Sequence, residues 1–290
     1  MMLRPRESYD QRLLSCDLTI SPTPDRLDFV HDVFGNCVGV ASFTGRVREV
    51  SFDSAVRLDH TPLQAFANHD GEIEAYTGTM PFAYSEEDLP DLRLSMARQH
   101  PDPQGVVDRW AQRFVRPGRT SLQTLLSDMT QAVHAEFRYQ TRLEKGAQSP
   151  LQTLELGSGT CRDYAVLMME AVRSLGLAAR FISGYIYSPH ADPAHRGHVG
   201  GGHTHAWVRV YLPRCGWVEF DPTNGIVGNA DLVRVAIARD PRQATPLHGT
   251  WFGNPSDFLG MDVSIEVLNE SEGFGRQSAR SSVASANPSA

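Results

Sequence analysis

Only one lysine, Lys145, occurs among the 27 basic residues of this 290-residue chain. Arginine supplies the rest, a compositional bias that points to no function. Acidic residues outnumber basic ones and the net charge is −7. A nucleic-acid surface needs the opposite sign, so DNA and RNA are not expected partners. Long apolar runs are missing too: none approaches the ~20 residues that span a bilayer. The start, Met1-Met2-Leu3-Arg4-Pro5-Arg6, is too polar for a secretory signal. Cysteine is scarce, and Cys16, Cys37, Cys161 and Cys215 show no CxxC spacing. These absences lead to the expectation of a protein of the reducing cytoplasm with no membrane partner. Cys16 and Cys37 fall in strand-like segments and read as buried free thiols, with a disulfide between them as the alternative.

What is present is ordinary globular material, 41% hydrophobic and 21% charged. The length allows one large domain or two modest ones. Residues 1–60 read as short strands. Leu14, Cys16, Leu18 and Ile20 alternate with polar positions, as do Phe52, Ser54, Val56 and Leu58. Segments 26–33 and 37–43 flank Phe34-Gly35-Asn36, a hairpin signal. A small β-sandwich with no chemistry of its own is expected there. Residues 61–102 are rich in Pro, Asp and Glu and read as a linker over the surface. A core follows over 103–270. It opens with a helix over 103–116 and a second one capped near Thr120-Ser121, whose Leu122, Leu125, Leu126, Met129 and Val133 make a core-facing stripe. A loop then runs to Pro150. Residues 178–187, 205–212 and 217–221 read as strands, and Trp251–Leu268 as one or two more. The Ser/Ala-rich tail over 271–290 is expected to be disordered.

The chemistry concentrates after residue 156. Gly157-Ser158-Gly159-Thr160 turns into an apolar-periodic helix that starts at Cys161 and ends before Gly176. A cysteine at a helix N-terminus meets unpaired N–H groups and the positive end of the dipole, which favour the thiolate. A lone cysteine is more often a small core residue, so the partners decide. They are His203-Thr204-His205-Ala206-Trp207 and then Phe220-Asp221-Pro222-Thr223. In strand 205–212, His205, Trp207, Arg209 and Tyr211 share one face, while Ala206, Val208, Val210 and Leu212 form the apolar one. The turn over 213–216 pairs this strand with 217–221, which makes His205 and Asp221 direct or diagonal neighbours. Asp221 can then fix the tautomer of His205, and His205 can take the Cys161 proton. The competing reading of Asp221 is a turn residue before proline. Asp163 reads as a first-turn acid, Arg162 as half of a structural pair, and Trp207 and Trp217 as core or cleft wall.

Read together, GSGTCRDYAVLMMEAVRSLGLAARFISGYIY and GGGHTHAWVRVYLPRCGWVEFDPTNG closely resemble the bacterial transglutaminase-like family over residues 120 to 268. The resemblance implies an α+β protein with a papain-like core and assigns the catalytic cysteine, histidine and aspartate to Cys161, His205 and Asp221. It implies acyl transfer at a peptide or amide carbonyl, by hydrolysis or transamidation, with a peptide or protein substrate and no cofactor. Residues 1–60 resemble the β-domain that precedes this core; the family usually shows one more strand at its start, and with Leu3-Arg4-Pro5-Arg6-Glu7 opening the chain that strand is expected to be absent. Two other readings stand beside this one. The first is a binding or scaffold protein with a relic site. The second is a zinc-dependent hydrolase built on His190, His195, His198, His203 and His205, with Cys161 and Cys215 as possible further ligands, whose spacing matches no paired-ligand motif.

Overall fold

A computed structural model describes residues 1–63, 72–74, 82–142, 144–188, 198–199 and 202–270. The N-terminal strands come first: β1 (Gln11–Ser21), β2 (Arg26–His31), β3 (Cys37–Ser42) and β4 (Ser51–His60). They form two antiparallel ribbons, β1 with β4 and β2 with β3, where the alternation and the hairpin signal placed them. A bulge between Leu13 and Ser15 throws Leu14 out of the inward pattern and exposes it. Cys16 and Cys37 are free thiols, half-buried and not fully covered. Met1 exchanges two backbone hydrogen bonds with Gly39 of β3, at 2.8 and 2.9 Å, as an antiparallel ladder pair does.

Segment 61–102 holds more than a linker. It contributes β5 (Glu72–Glu74) and helix α1 (Leu89–Met96), which carries Pro90 in its first turn and buries Leu92. Pro at a first-turn position costs no hydrogen bond, so the residue that suggested a break opens the helix instead. Helix α2 (Val106–Gln112) and strand β6 (Arg119–Ser121) follow, the latter pairing with β5. Helix α3 (Leu122–Glu136) begins as expected, with the Ser121 hydroxyl accepting from the Thr124 N–H, and buries the whole predicted stripe. Strand β7 (Arg138–Tyr139) comes next. The loop from 140 ends in helix α4 (Pro150–Leu156), capped by Ser149 and Gln152 in a reciprocal box. Strand β8 (Ser158–Gly159) then pairs in parallel with β7.

Helix α5 (Cys161–Ser174) is buried nearly all round and packs on a five-stranded antiparallel sheet ordered β12-β11-β10-β9-β13. The strands are β9 (Ala179–Ile186), β10 (His205–Leu212), β11 (Gly216–Asp221), β12 (Ile226–Val227) and β13 (Leu232–Ala238). Ala206, Val208, Val210 and Leu212 face α5, in one core with the α3 stripe. The opposite face carries a second cluster, Ile182, Ile186, Trp207, Leu232 and Ile237. N-terminal residues lie against that face. Asn36 exchanges hydrogen bonds with the Ile237 backbone at 2.8 and 2.9 Å, and Gln11 does the same with Arg234 at 2.9 Å each.

One strand position differs from expectation. Trp251–Leu268 forms no strand and has only a short 3₁₀ turn at Pro255–Asp257. Pro255, Gly253 and Gly260 interrupt it. The place beside β9 belongs to β13, whose apolar run Leu232-Val233-Arg234-Val235-Ala236-Ile237-Ala238 reads as a strand buried on both faces. Residues 271–290, read as disordered, lie outside the described residues.

Candidate active site

The start of α5 is built around Asp163. Its carboxylate accepts from the Thr160 N–H at 2.7 Å and the Thr160 hydroxyl at 2.9 Å, which fixes the turn that delivers Cys161. It also accepts two guanidinium bonds from Arg142, at 2.8 and 2.9 Å, and one from the Gln148 N–H at 2.6 Å. The structural pair at this helix start therefore belongs to Asp163 with Arg142; sequence reasoning had looked to Arg162. Gly159 is constrained by the same carboxylate: a Cβ there would stand 2.8 Å from the Asp163 Cβ. The parallel β7–β8 pairing brings Tyr139 alongside. Burial, and then the electrostatic influence of neighbouring Cys161, Asp163 and Asp221, pushes its phenol up to about 12. Tyr139 thus belongs to the site, although its residue type and position in the sequence gave no sign of it.

His205 opens β10 and is 1% exposed. The pairing of Val208 with Phe220 sets Asp221 two residues out of register with His205, a diagonal neighbour on the same face. The Nε2 atom of His205 lies 2.8 Å from Oδ2 of Asp221. The Nδ1 atom is buried and has no hydrogen-bond partner. Burial by itself would lower the imidazole pKa. The Asp221 charge and hydrogen bond overcome it, the Cys161 thiol adds to them, and the pKa rises to about 10. The Asp221 carboxyl is held below its usual range in return. Burial opposes this, but the His205 charge, hydrogen bonds from His205 and Asn224, and the Thr223 N–H prevail.

The turn after Asp221 completes the aspartate's seat. The Thr223 N–H donates to Oδ1 at 2.9 Å and the Asn224 amide donates to Oδ2 at 2.8 Å. That turn is itself held by α3: His134 Nδ1 lies 2.8 Å from the Thr223 carbonyl, and Gln131 donates to the Gly225 carbonyl at 2.7 Å. Asn224 also bridges to Val199 through both backbone groups, at 2.7 and 3.1 Å. Sequence reasoning passed over Asn224; the only trace was an Asp-Pro-Thr-Asn-Gly string that reads as a turn. Asp221 is a turn residue, as the competing reading has it, and also the partner of His205.

Cys161 is 7% exposed and, with His205 and Asp221, closes the arrangement. A thiol at the N-terminus of a helix faces an imidazole that has one nitrogen free and the other on a carboxylate. That arrangement allows proton transfer from sulfur and nucleophilic attack. Two family models match the chain: the transglutaminase-like superfamily over residues 108–222 and the bacterial transglutaminase-like N-terminal region over residues 1–59. The chain belongs to the transglutaminase-like superfamily.

The chain is also similar to proteins of bacteria. An uncharacterised protein of Mycobacterium tuberculosis (strain H37Rv) is 26% identical over 275 residues, covering 92% of this chain and 85% of that one. One from Mycobacterium leprae is 34% identical over 119 residues, 41% of this chain and 40% of that one. Among solved structures, a candidate cysteine protease from Cytophaga hutchinsonii shares the fold. It has a TM-score of 0.59 and 17% identity over 84% of this chain and 76% of that one. The transglutaminase-like fold is therefore present over the core and is preceded by the family's N-terminal strands.

The other described histidines of segment 190–205 do not assemble. His198 pairs with Asp231 at 2.9 Å, and His203 is exposed. Among the described residues no three His, Cys, Asp or Glu side chains are grouped to hold a metal, while His190 and His195 lie outside them. No helix among the described residues is long and apolar enough to cross a membrane. Trp217 forms a wall: the guanidinium groups of Arg180 and Arg209 sit 4.4 and 4.8 Å from its ring.

Proposed function

We propose that this member of the transglutaminase-like superfamily is a cysteine-dependent acyl-transfer enzyme acting on a peptide or amide carbonyl of a peptide or protein substrate. The observation that carries the reading is the His205 ring, held by Asp221 through Nε2, with its Nδ1 buried and its pKa raised in part by the Cys161 thiol. In keeping with the raised imidazole pKa, the Cys161 proton resides on Nδ1, and the thiolate sulfur attacks the carbonyl carbon. The Cys161 backbone N–H, in the first turn of α5, stabilises the oxyanion. The imidazolium returns its proton to the leaving amine, which leaves a thioester. Water or a second amine then attacks the thioester, with His205 again as base, and releases acid or amide. Asp221 holds the ring and the charge that it acquires. The four free thiols suit the reducing, cytoplasmic setting proposed with this chemistry.

Alkylation with iodoacetamide, followed by peptide mapping, tests the reading without a known substrate. Cys161 is buried, whereas Cys16, Cys37 and Cys215 are half-exposed. Access alone therefore favours the other three. Faster labelling of Cys161 near neutral pH, abolished by His205→Ala, is the expected result. Labelling in order of exposure would refute the activated thiol.

A further inference from the structure

Trp207 links the candidate base to the N-terminal region. Its indole stacks on the His205 ring, with centroids 5.9 Å apart and planes at 25°. A single hydrogen bond to Asp221 leaves the imidazole free to turn about the Nε2···Oδ2 axis, and a flat aromatic face restricts that turn. Trp207 is itself held on two sides. Gly184 has no side chain where the indole lies: a Cβ there would be 2.6 Å from Cη2 of Trp207. On the other side the indole N–H donates to Oε2 of Glu219 at 2.7 Å.

Glu219 can hold the indole in place only if its own carboxylate is fixed. Its Oε1 accepts from Nη1 of Arg234 at 2.6 Å. The other arm of Arg234, Nη2, donates to Oδ1 of Asp10 at 2.6 Å and to the Ser8 hydroxyl at 2.8 Å. Asp10 is completed by the Asn229 amide at 2.7 Å on Oδ2. Asp10, Glu219 and Arg234 are all under 7% exposed, and Trp207 is fully buried. Such a chain is rigid when every member is satisfied.

We propose that Asp10, Arg234 and Glu219 are positioning residues for His205, acting through the stacked indole of Trp207, so that the N-terminal segment orients the catalytic base. This rests on the reading of His205 as the base that activates Cys161. It departs from the expectation that residues 1–60 carry no chemistry.

The test uses the full chain and the alkylation rate of Cys161 across pH, with the urea unfolding midpoint measured on each variant. Glu219→Gln is expected to slow alkylation at neutral pH by about tenfold and to shift its pH profile, within the range that small misplacements of a catalytic group produce. Asp10→Asn shifts both in the same direction by less. Trp207→Phe keeps a ring but loses the N–H, so in that background Glu219→Gln has no further effect. Additive losses in the double variant, or changes confined to the unfolding midpoint, would overturn the proposal. If Asp10→Asn or Glu219→Gln does not fold, Trp207→Phe decides by itself, because it leaves the charged trio intact: an unchanged alkylation profile refutes the chain and a slowed one supports it. His205→Ala separates the two levels. If it leaves Cys161 alkylation unchanged, the activated thiol fails; if it slows alkylation while the Glu219 and Asp10 variants do not, only the positioning chain fails.

Discussion

The two ring nitrogens of His205 have separate duties, and the pH dependence of both stability and activity follows from them. Its pKa in the folded protein is raised from 6.5 to about 10, so the protonated ring stabilises the fold. That contribution is complete below the unfolded value and disappears as the pH climbs through about 10. Wild-type unfolding free energy, measured in urea, is therefore expected to decline between those limits. Asp221→Asn removes the charge that raises the pKa and should flatten the decline. An equal slope in the two proteins would show that the pair is not coupled as the geometry indicates. In turnover, Cys161→Ala and His205→Ala should each cost on the order of 10⁶ and Asp221→Ala about 10⁴, by analogy with other triads. The aspartate costs less because both reacting groups survive its loss. Assays on a panel of peptide and amide substrates check the order, with circular dichroism to confirm folding.

Helix α5 delivers the nucleophile, and two buried acids fix it at its ends. Asp163 ties its start to Arg142 and to the Thr160 turn. Near its other end Glu170 accepts from Arg173 at 2.7 Å and from the Gln99 and His100 N–H groups, which joins α5 to the segment after α1. Asp163→Ala takes two charge-assisted hydrogen bonds from the mostly covered Arg142 guanidinium, which keeps only the Gly146 carbonyl and Glu144, and removes the restraint on the turn. A loss of about 3 kcal/mol in unfolding free energy is expected, together with slower Cys161 alkylation. The sheet has an equally narrow point at Gly184, where a Cβ would lie 2.1 Å from the Val233 carbonyl oxygen and 2.6 Å from Trp207. Backbone cannot yield there as a side-chain tip can. Gly184→Ala should cost about 3 kcal/mol, and hydrogen exchange should locate the loosening at the β9–β13 ladder.

Residues of the N-terminal region, Leu3, Arg6, Gln11 and Asn36, hydrogen-bond to the strands of the sheet whose outer face α5 leaves open. Removing residues 1–60 would uncover Ile182, Ile186, Trp207, Leu232 and Ile237 and strip Arg234 of Asp10. The truncated chain is expected to aggregate or to bind a hydrophobic dye, and its remaining soluble fraction to alkylate Cys161 more slowly. A soluble truncation that binds no dye and keeps full Cys161 reactivity would contradict both expectations.

Much of this was legible along the chain because it depends on local chemistry. The cysteine at a helix start, the Ser121 cap, the α3 stripe and the two-residue alternation in β10 and β11 all involve neighbours a few residues apart. Period and capping determine such features before any tertiary contact forms. The relation of His205 to Asp221 was readable for the same reason, since one short turn sets the register between their strands. Proline and acidic residues hid α1, because a composition that suits a linker also suits the first turn of a helix. Trp251–Leu268 has apolar residues enough for a strand, yet Gly253, Pro255 and Gly260 interrupt it, and β13 pairs with β9 instead. Asn224 left only a turn string, and Tyr139 and the Asp10–Arg234–Glu219–Trp207 chain left no pattern at all. Their partners are distant in sequence, up to 224 residues for Asp10 and Arg234. Hydrogen bonds among buried charges are specified by three-dimensional packing, which no local period encodes.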